Sequence, residues 1–163
     1  MKPYRSMLFV PVTDMRKIHK AFASDTDCVL LDLEDAVALS EKENARSLAL
    51  EILRGPHGKP VYVRVNGIDT PFLFRDLITL IPGRPAGIML PKAESPDQIR
   101  KVDWIIGQLE KESGIPKGQV RMIPLVESGG GVIRAADIAG ASAGRDAWPS
   151  GNDQMRAGLR GAL

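Results

Sequence analysis

The sequence predicts an α/β protein of the (β/α)8 TIM-barrel type, incomplete, with about six βα units in a single domain over residues 1–163. Short apolar runs alternate with helix-like segments along the whole chain, the pattern of a parallel sheet with right-handed crossovers. The runs also end on charged or amide residues: Glu34 and Asp35, Arg64 and Asn66, Lys92, Glu127, and Asp153. Parallel strands bring all their C-terminal ends to one rim, so these side chains converge in space. They are spread over nearly every strand end instead of gathering at one glycine-rich first turn, which here reads Pro11-Val12-Thr13-Asp14. That distribution favours a barrel over an open, doubly wound sheet. A complete barrel takes about 250 residues, so a chain of 163 supplies about six of eight units.

The elements follow in order. Residues 7–12 read as the first strand, and 14–23 as a helix with Thr13 or Asp14 as its N-cap. The second strand spans 28–35. The helix after it spans 40–53, with a capping box from Ser40 and Glu43 and apolar Ala45, Leu48 and Ile52 at helical spacing. Residues 61–66 form the third strand; 70–80 form a helix with Pro71 in its first turn, closed by Pro82-Gly83. The fourth strand covers 86–92. Ser95-Pro96 opens a helix to about residue 112, with Ile99, Val102, Ile106 and Leu109 on one face. The fifth strand covers 120–127, with a helix over 131–139 behind it. A less regular sixth strand over 147–153 and a helix over 154–163 complete the pattern.

A formal net charge of +2, with no block of Lys or Arg, argues against nucleic acid or an acidic membrane surface as partner. Small anionic substrates need only local charge and stay open. The lone Cys28 lies in an apolar run, reads as a buried small hydrophobe, and fits a reducing cytoplasm. Neither a signal peptide nor a membrane-spanning apolar stretch is apparent, so a cytoplasmic location is expected. His19 and His57 read as surface residues without zinc spacing.

Glu127 and Asp153 are the metal candidates. A hard cation such as Mg2+ takes oxygen ligands, often one or two carboxylates. Asn152 or Asp153 also reads as the cap of the last helix. Arg64 is suited to hold a substrate carboxylate in two-pronged fashion, or to pair with Glu34 or Asp35. Asn66 serves as a substrate contact or a turn residue, and Lys92 faces either the site or solvent. Glu34 and Asp35 are adjacent and point to opposite sides of an extended chain, while Asp32 shares the face of Glu34. Gly129-Gly130-Gly131 fits neither phosphate-loop spacing and suggests close approach of a ligand to backbone.

Five segments occur in the order of a known family: Arg5-Ser6-Met7-Leu8-Phe9-Val10-Pro11, Leu31-Asp32-Leu33-Glu34-Asp35-Ala36-Val37, Val63-Arg64-Val65-Asn66, Gly87-Ile88-Met89-Leu90-Pro91-Lys92 and Leu125-Val126-Glu127-Ser128. Over essentially the whole chain they resemble the citrate lyase β-subunit group of the HpcH/HpaI aldolase superfamily, which includes citryl-CoA and malyl-CoA lyases. The second and third segments are the specific ones. The resemblance implies a Mg2+-dependent barrel that cleaves a 3-hydroxyacyl-CoA thioester, citryl-CoA or malyl-CoA like, to acetyl-CoA and a 2-oxo acid. It implies Glu127 and Asp153 as metal ligands and Arg64 on the oxo- or hydroxy-acid half. Glu34 and Asp35 would order water and polar groups, and Arg5 would lie near the thioester's route.

Two positions depart from the family pattern: Pro11-Val12 stands for Pro-Gly, and Pro149-Ser150 for Phe-Gly before Asp153. Against the family's length the chain reads as truncated after Leu163, with impaired activity expected. Open barrel edges predict a homo-oligomer, or a partner subunit that covers them. Two other readings stay open: a non-catalytic homologue binding acyl-CoA or a partner subunit, and an aldolase acting on free 2-oxo acids.

Overall fold

The computed structural model describes residues 4–141. Five parallel strands form one sheet: β1 Met7–Pro11, β2 Cys28–Asp32, β3 Val61–Arg64, β4 Gly87–Leu90 and β5 Arg121–Pro124. The helices are α1 Met15–Ala23, α2 Lys42–Arg54, α3 Leu73–Leu80, α4 Pro96–Glu112, α5 Gly129–Ile133 and α6 Ala135–Ala141. The expected sixth strand and last helix, with Asp153, lie outside the described residues.

The strands are ordered β1-β2-β3-β4-β5, so the winding never reverses. A doubly wound sheet has a switch point and helices on both faces. Here the helices share one core with one set of strand residues, including Val29, Leu31, Val63, Ile88, Leu90 and Met122. The alternate residues Cys28, Leu30, Tyr62 and Met89 form a separate cluster on the other face, with Tyr4 and Met7 packed against it. One face covered by helices and the other filled by strand side chains is barrel architecture. The described arc is partial and does not close.

The strands β2 to β5 stop at Asp32, Arg64, Leu90 and Pro124, short of the expected ends at 35, 66, 92 and 127. The polar exits therefore belong to the loops after the strands, where backbone groups leave the ladder. Asp14 is the cap of α1, accepting from Lys17 N at 3.0 Å. The capping box expected from Ser40 and Glu43 does not form. Leu39–Glu41 make a 3-10 turn, and α2 starts at Lys42 without a side-chain cap. Its first turn is anchored instead by the Lys42 ammonium, which donates to two carbonyls of the loop after β2. Thr70 and Pro71 lie in a turn before α3, with Thr70 bonded to the Gly67 carbonyl. The Ser95–Gln98 capping box does open α4. The single helix expected over 131–139 is split at Arg134.

Arg5 and Asp27 precede β1 and β2, at the N-terminal rim. They pair at 3.0 Å, and this contact holds the Asp27 carboxyl down at about 2 against an ordinary 3.8. A carboxylate depressed in the folded state stabilises it above the unfolded value and loses that contribution as pH falls. Asp27→Asn is therefore expected to melt below the parent protein at pH 6. That gap should close as pH drops from about 4 towards 2; a gap independent of pH in parallel thermal scans would contradict the pairing. No helix among the described residues is long and apolar enough to cross a membrane.

Candidate active site at the C-terminal rim

Asp32 closes β2 and Arg64 closes β3, and the two are partners in the strand register. Both continue the alternation of Cys28, Leu30 and Tyr62, so both face the barrel interior. The guanidinium meets Asp32 through two contacts, Nη2 to Oδ2 at 2.6 Å and Nε to Oδ1 at 2.8 Å. Its Nη1 lies 3.1 Å from Glu34 Oε2 and 3.5 Å from Asp35 Oδ2. The Phe9 ring lies below, with Cζ 5.2 Å from its centroid, a favourable cation–π placement. The Asp32 contact is the main reason that the Arg64 pKa is raised above its ordinary value.

Glu34 is buried, and burial pushes its carboxyl above the ordinary glutamate value, against the pull of Lys92 and Arg64. Lys92 Nζ stands 3.2 Å from Glu34 Oε1. Glu34 is held by these two ion pairs, and its carboxylate oxygens have further acceptor sites beyond them. Asp35 does not point to the opposite side as an extended chain would have it: the strand has ended, the backbone turns, and Asp35 reaches the same Arg64 Nη1 as Glu34 while staying 71% exposed.

Lys92 adopts a left-handed backbone, φ 52°, an uncommon conformation for a side-chain-bearing residue. From there its N–H donates to Glu127 Oε1 at 2.9 Å while its ammonium reaches Glu34. Glu34 also raises the Lys92 pKa. One residue thus ties the exit of β2 to the exit of β5. The chain of contacts Asp32–Arg64–Glu34–Lys92–Glu127 spans the rim.

Two predicted residues are not brought into this chain. Asn66 is buried and turned to Asp76, whose Oδ2 accepts from its backbone N at 2.9 Å and its Nδ2 at 2.7 Å. Two amide hydrogens thus satisfy a buried acid, and Asn66 makes no contact with the chain from Asp32 to Glu127. Arg5 is held by Asp27 at the opposite rim, because it precedes its strand where the site residues follow theirs. The triple glycine also has a different reason: a Cβ at Gly131 would meet the Ala93 carbonyl oxygen at 2.6 Å, whereas Gly129 and Gly130 face open space. The close neighbour at Gly131 is the chain's own backbone.

Other residues belong to the site without having been singled out for it. Asp32 is the main holder of Arg64, legible only as a same-face neighbour of Glu34. Lys42 is buried on α2 and donates to the Leu33 carbonyl at 2.7 Å and that of Glu34 at 2.6 Å. Arg46 is buried with Asp76, Nε to Oδ1 at 2.9 Å. A charged residue in an amphipathic helix reads as solvent-facing, so sequence gave no signal for these two.

Among the described residues no three His, Cys, Asp or Glu side chains are grouped to cage a metal ion. Magnesium does not require one: it commonly takes one or two protein carboxylates and keeps water or substrate in its other positions. Glu127 is an exposed carboxylate at the rim with one oxygen receiving the Lys92 N–H. A carboxylate has further acceptor sites beyond one such bond, so its oxygen chemistry fits a hard cation.

Singly wound βα units with charged side chains at the C-terminal rim define a barrel-type scaffold with its chemistry in the loops after the strands. Residues 5–160 match the family described as HpcH/HpaI aldolase/citrate lyase, and the chain belongs to that family. It is 38% identical over 144 residues to citrate lyase subunit beta of Haemophilus influenzae, covering 87% of this chain and 50% of that protein. It is 34% identical over 146 residues to the L-malyl-CoA/beta-methylmalyl-CoA lyase of Cereibacter sphaeroides, covering 86% and 46%. Among solved structures it resembles the citrate lyase beta subunit of M. tuberculosis complexed with oxaloacetate and magnesium, with a TM-score of 0.64, 34% identity, and coverage of 83% and 53%. The chain spans about half the length of the curated relatives it matches.

Proposed function

We propose that this chain carries the rim chemistry of a Mg2+-dependent carbon–carbon lyase of the citryl-CoA type, which cleaves a 3-hydroxyacyl-CoA to acetyl-CoA and a 2-oxo acid. The observation that carries the reading is the run of contacts from Asp32 through Arg64, Glu34 and Lys92 to Glu127. It links a fixed guanidinium, through Glu34 and Lys92, to an exposed carboxylate at the same rim. Relatives named as lyases, and a solved relative holding oxaloacetate and magnesium, support the same chemistry.

In this reading Glu127 holds the ion, with Asp153 as the second carboxylate. The ion supplies Lewis-acid polarisation of the substrate hydroxyl and of the carbonyl it becomes. Arg64 binds and orients the carboxylate of the oxo-acid half. Asp32 occupies its Nε and Nη2 edge and Nη1 also meets Glu34 and Asp35, so a ligand carboxylate would take the N–H groups these acids leave over. Fixing that carboxylate removes much of the orientational cost of the step. Cleavage turns the C–C bonding pair into the enolate of acetyl-CoA; the hydroxyl proton is lost, and the enolate carbon must gain one. Glu34, a buried carboxyl biased towards its protonated form, is the group at this rim suited to hold or pass a proton through ordered water, with Asp35 beside it. A reducing cytoplasm suits the lone buried Cys28.

The test couples acetyl-CoA release from citryl-CoA and malyl-CoA to calorimetry of Mg2+ binding. Glu127→Gln is expected to weaken Mg2+ binding by at least about 100-fold, more than the loss of an outer-sphere partner. Unchanged affinity would remove Glu127 from the metal site, and turnover without any thioester would favour an aldolase of free acids.

A further inference from the structure

We infer that Lys42 and Arg46, one turn apart on α2, are positioning residues that fasten the loop carrying Glu34 and the loop that follows Arg64. This deepens the lyase reading and rests on it for its catalytic consequence. Spacing of i and i+4 puts the two cations on one helix face, and both are buried. Lys42 gives one N–H to the Leu33 carbonyl and one to that of Glu34, both beyond the last residue of β2. These carbonyls lie past the strand end, outside the ladder, where a buried one needs a donor; that of Glu34 also accepts from Val37 N at 3.2 Å, a turn that the ammonium braces. The ammonium also lies 5.9 Å from the centroid of the Phe72 ring, in the loop before α3.

Arg46 works one step further round the arc. It pairs with Asp76 of α3, and Asp76 takes both amide hydrogens offered by Asn66, two residues past Arg64. The two exits are also joined directly by Leu33 N to the Arg64 carbonyl at 3.0 Å. Burial lowers the Lys42 pKa, while Asp76, Asp32, Glu34 and Asp35 oppose that shift. Desolvating an ammonium is unfavourable, and its N–H groups are spent on backbone that shapes the site, where an apolar side chain would fill the same space.

The experiment is amide hydrogen exchange on the full chain, alongside kcat and KM. Lys42→Met should raise exchange at Glu34 and Val37 by about tenfold or more, while Val29, Leu31 and Ala49 keep their rates, the signature of local rather than global opening. Arg46→Lys should raise it at Asn66 and leave Glu34 unchanged, and it carries the test alone if Lys42→Met does not fold. Ala49→Gly, one turn along α2 and away from both loops, is the control for helix stability. Lys42→Met should lower kcat beyond Ala49→Gly at temperatures where both are folded. Loop exchange unchanged, or rising only in step with the strands, overturns the inference whatever the activity. Loosened loops in a chain whose parent form is inactive would leave the clamp standing and remove the lyase reading.

Discussion

Arg64→Met is expected to destabilise the fold by about 3–5 kcal/mol at pH 7, the range for removing one partner of a buried ion pair, and to abolish binding of a 2-oxo acid. Arg64 is 12% exposed in its side chain, Asp32 6% and Glu34 8%. Methionine fills the stem's volume but leaves two acids buried in one pocket without the guanidinium between them. The Glu34 pKa, already raised by burial, should then rise further, because the opposing pull of Arg64 is gone. A carboxyl raised in the folded state contributes stability that is fully present below its unfolded pKa and lost as pH rises through the folded value. The variant should therefore come closest to its parent near pH 4 and fall furthest behind above pH 7. Urea melts at those two values decide it: a deficit that is equal at both, or within about 0.5 kcal/mol of zero as for an ordinary surface substitution, would mean that Arg64 does not hold the acids.

Asp76→Leu should cost a similar amount, about 3–5 kcal/mol, without touching the rim directly. Asp76 is fully buried and serves three donors: Arg46 Nε, Asn66 N and Asn66 Nδ2. Leucine strands a buried guanidinium and two amide hydrogens. Replacing both members of a buried pair by apolar residues is far less damaging than replacing one, so Arg46→Met with Asp76→Leu should recover much of the loss. A double variant as unstable as Asp76→Leu alone would mean that the cost lies in packing. Recovery of stability without recovery of ligand binding would separate the pair's part in the core from its hold on Asn66.

The architecture was legible because it rests on local signals. Apolar runs such as Cys-Val-Leu-Leu and the helix start at Ser95-Pro96 sit where periodicity and capping chemistry put them. Chemistry spread over many strand ends pointed to a barrel, and the unreversed strand order agrees with it. What failed were readings in which a tertiary contact overrides a local rule. Ser40 and Glu43 make a good capping box on paper, but the buried Lys42 anchors that helix start instead. Asn66 reads as an exit residue like Arg64, and a buried acid one loop away claims it. Nothing in a linear sequence marks Lys42 or Arg46 as buried: Lys42 is satisfied by backbone carbonyls of the preceding loop, which carry no side-chain signal, and Arg46 by Asp76, 30 residues on. Lys92 was ambiguous for the same reason: from a left-handed backbone its amide serves the loop after β5 and its ammonium the loop after β2, contacts no local pattern announces.

The register between β2 and β3 sets Asp32 directly across from Arg64. Side chains alternate along a strand, so a slip of one residue would turn one of this pair away from the other and drive a bare charge under the helices. Hydrophobic residues alone would tolerate that error poorly but not forbid it, since apolar side chains, Leu30 and Leu31 among them, occupy both faces of these strands. The ion pair thus discriminates between alignments: it is made in the observed one, and a shifted one would leave its charges unpaired.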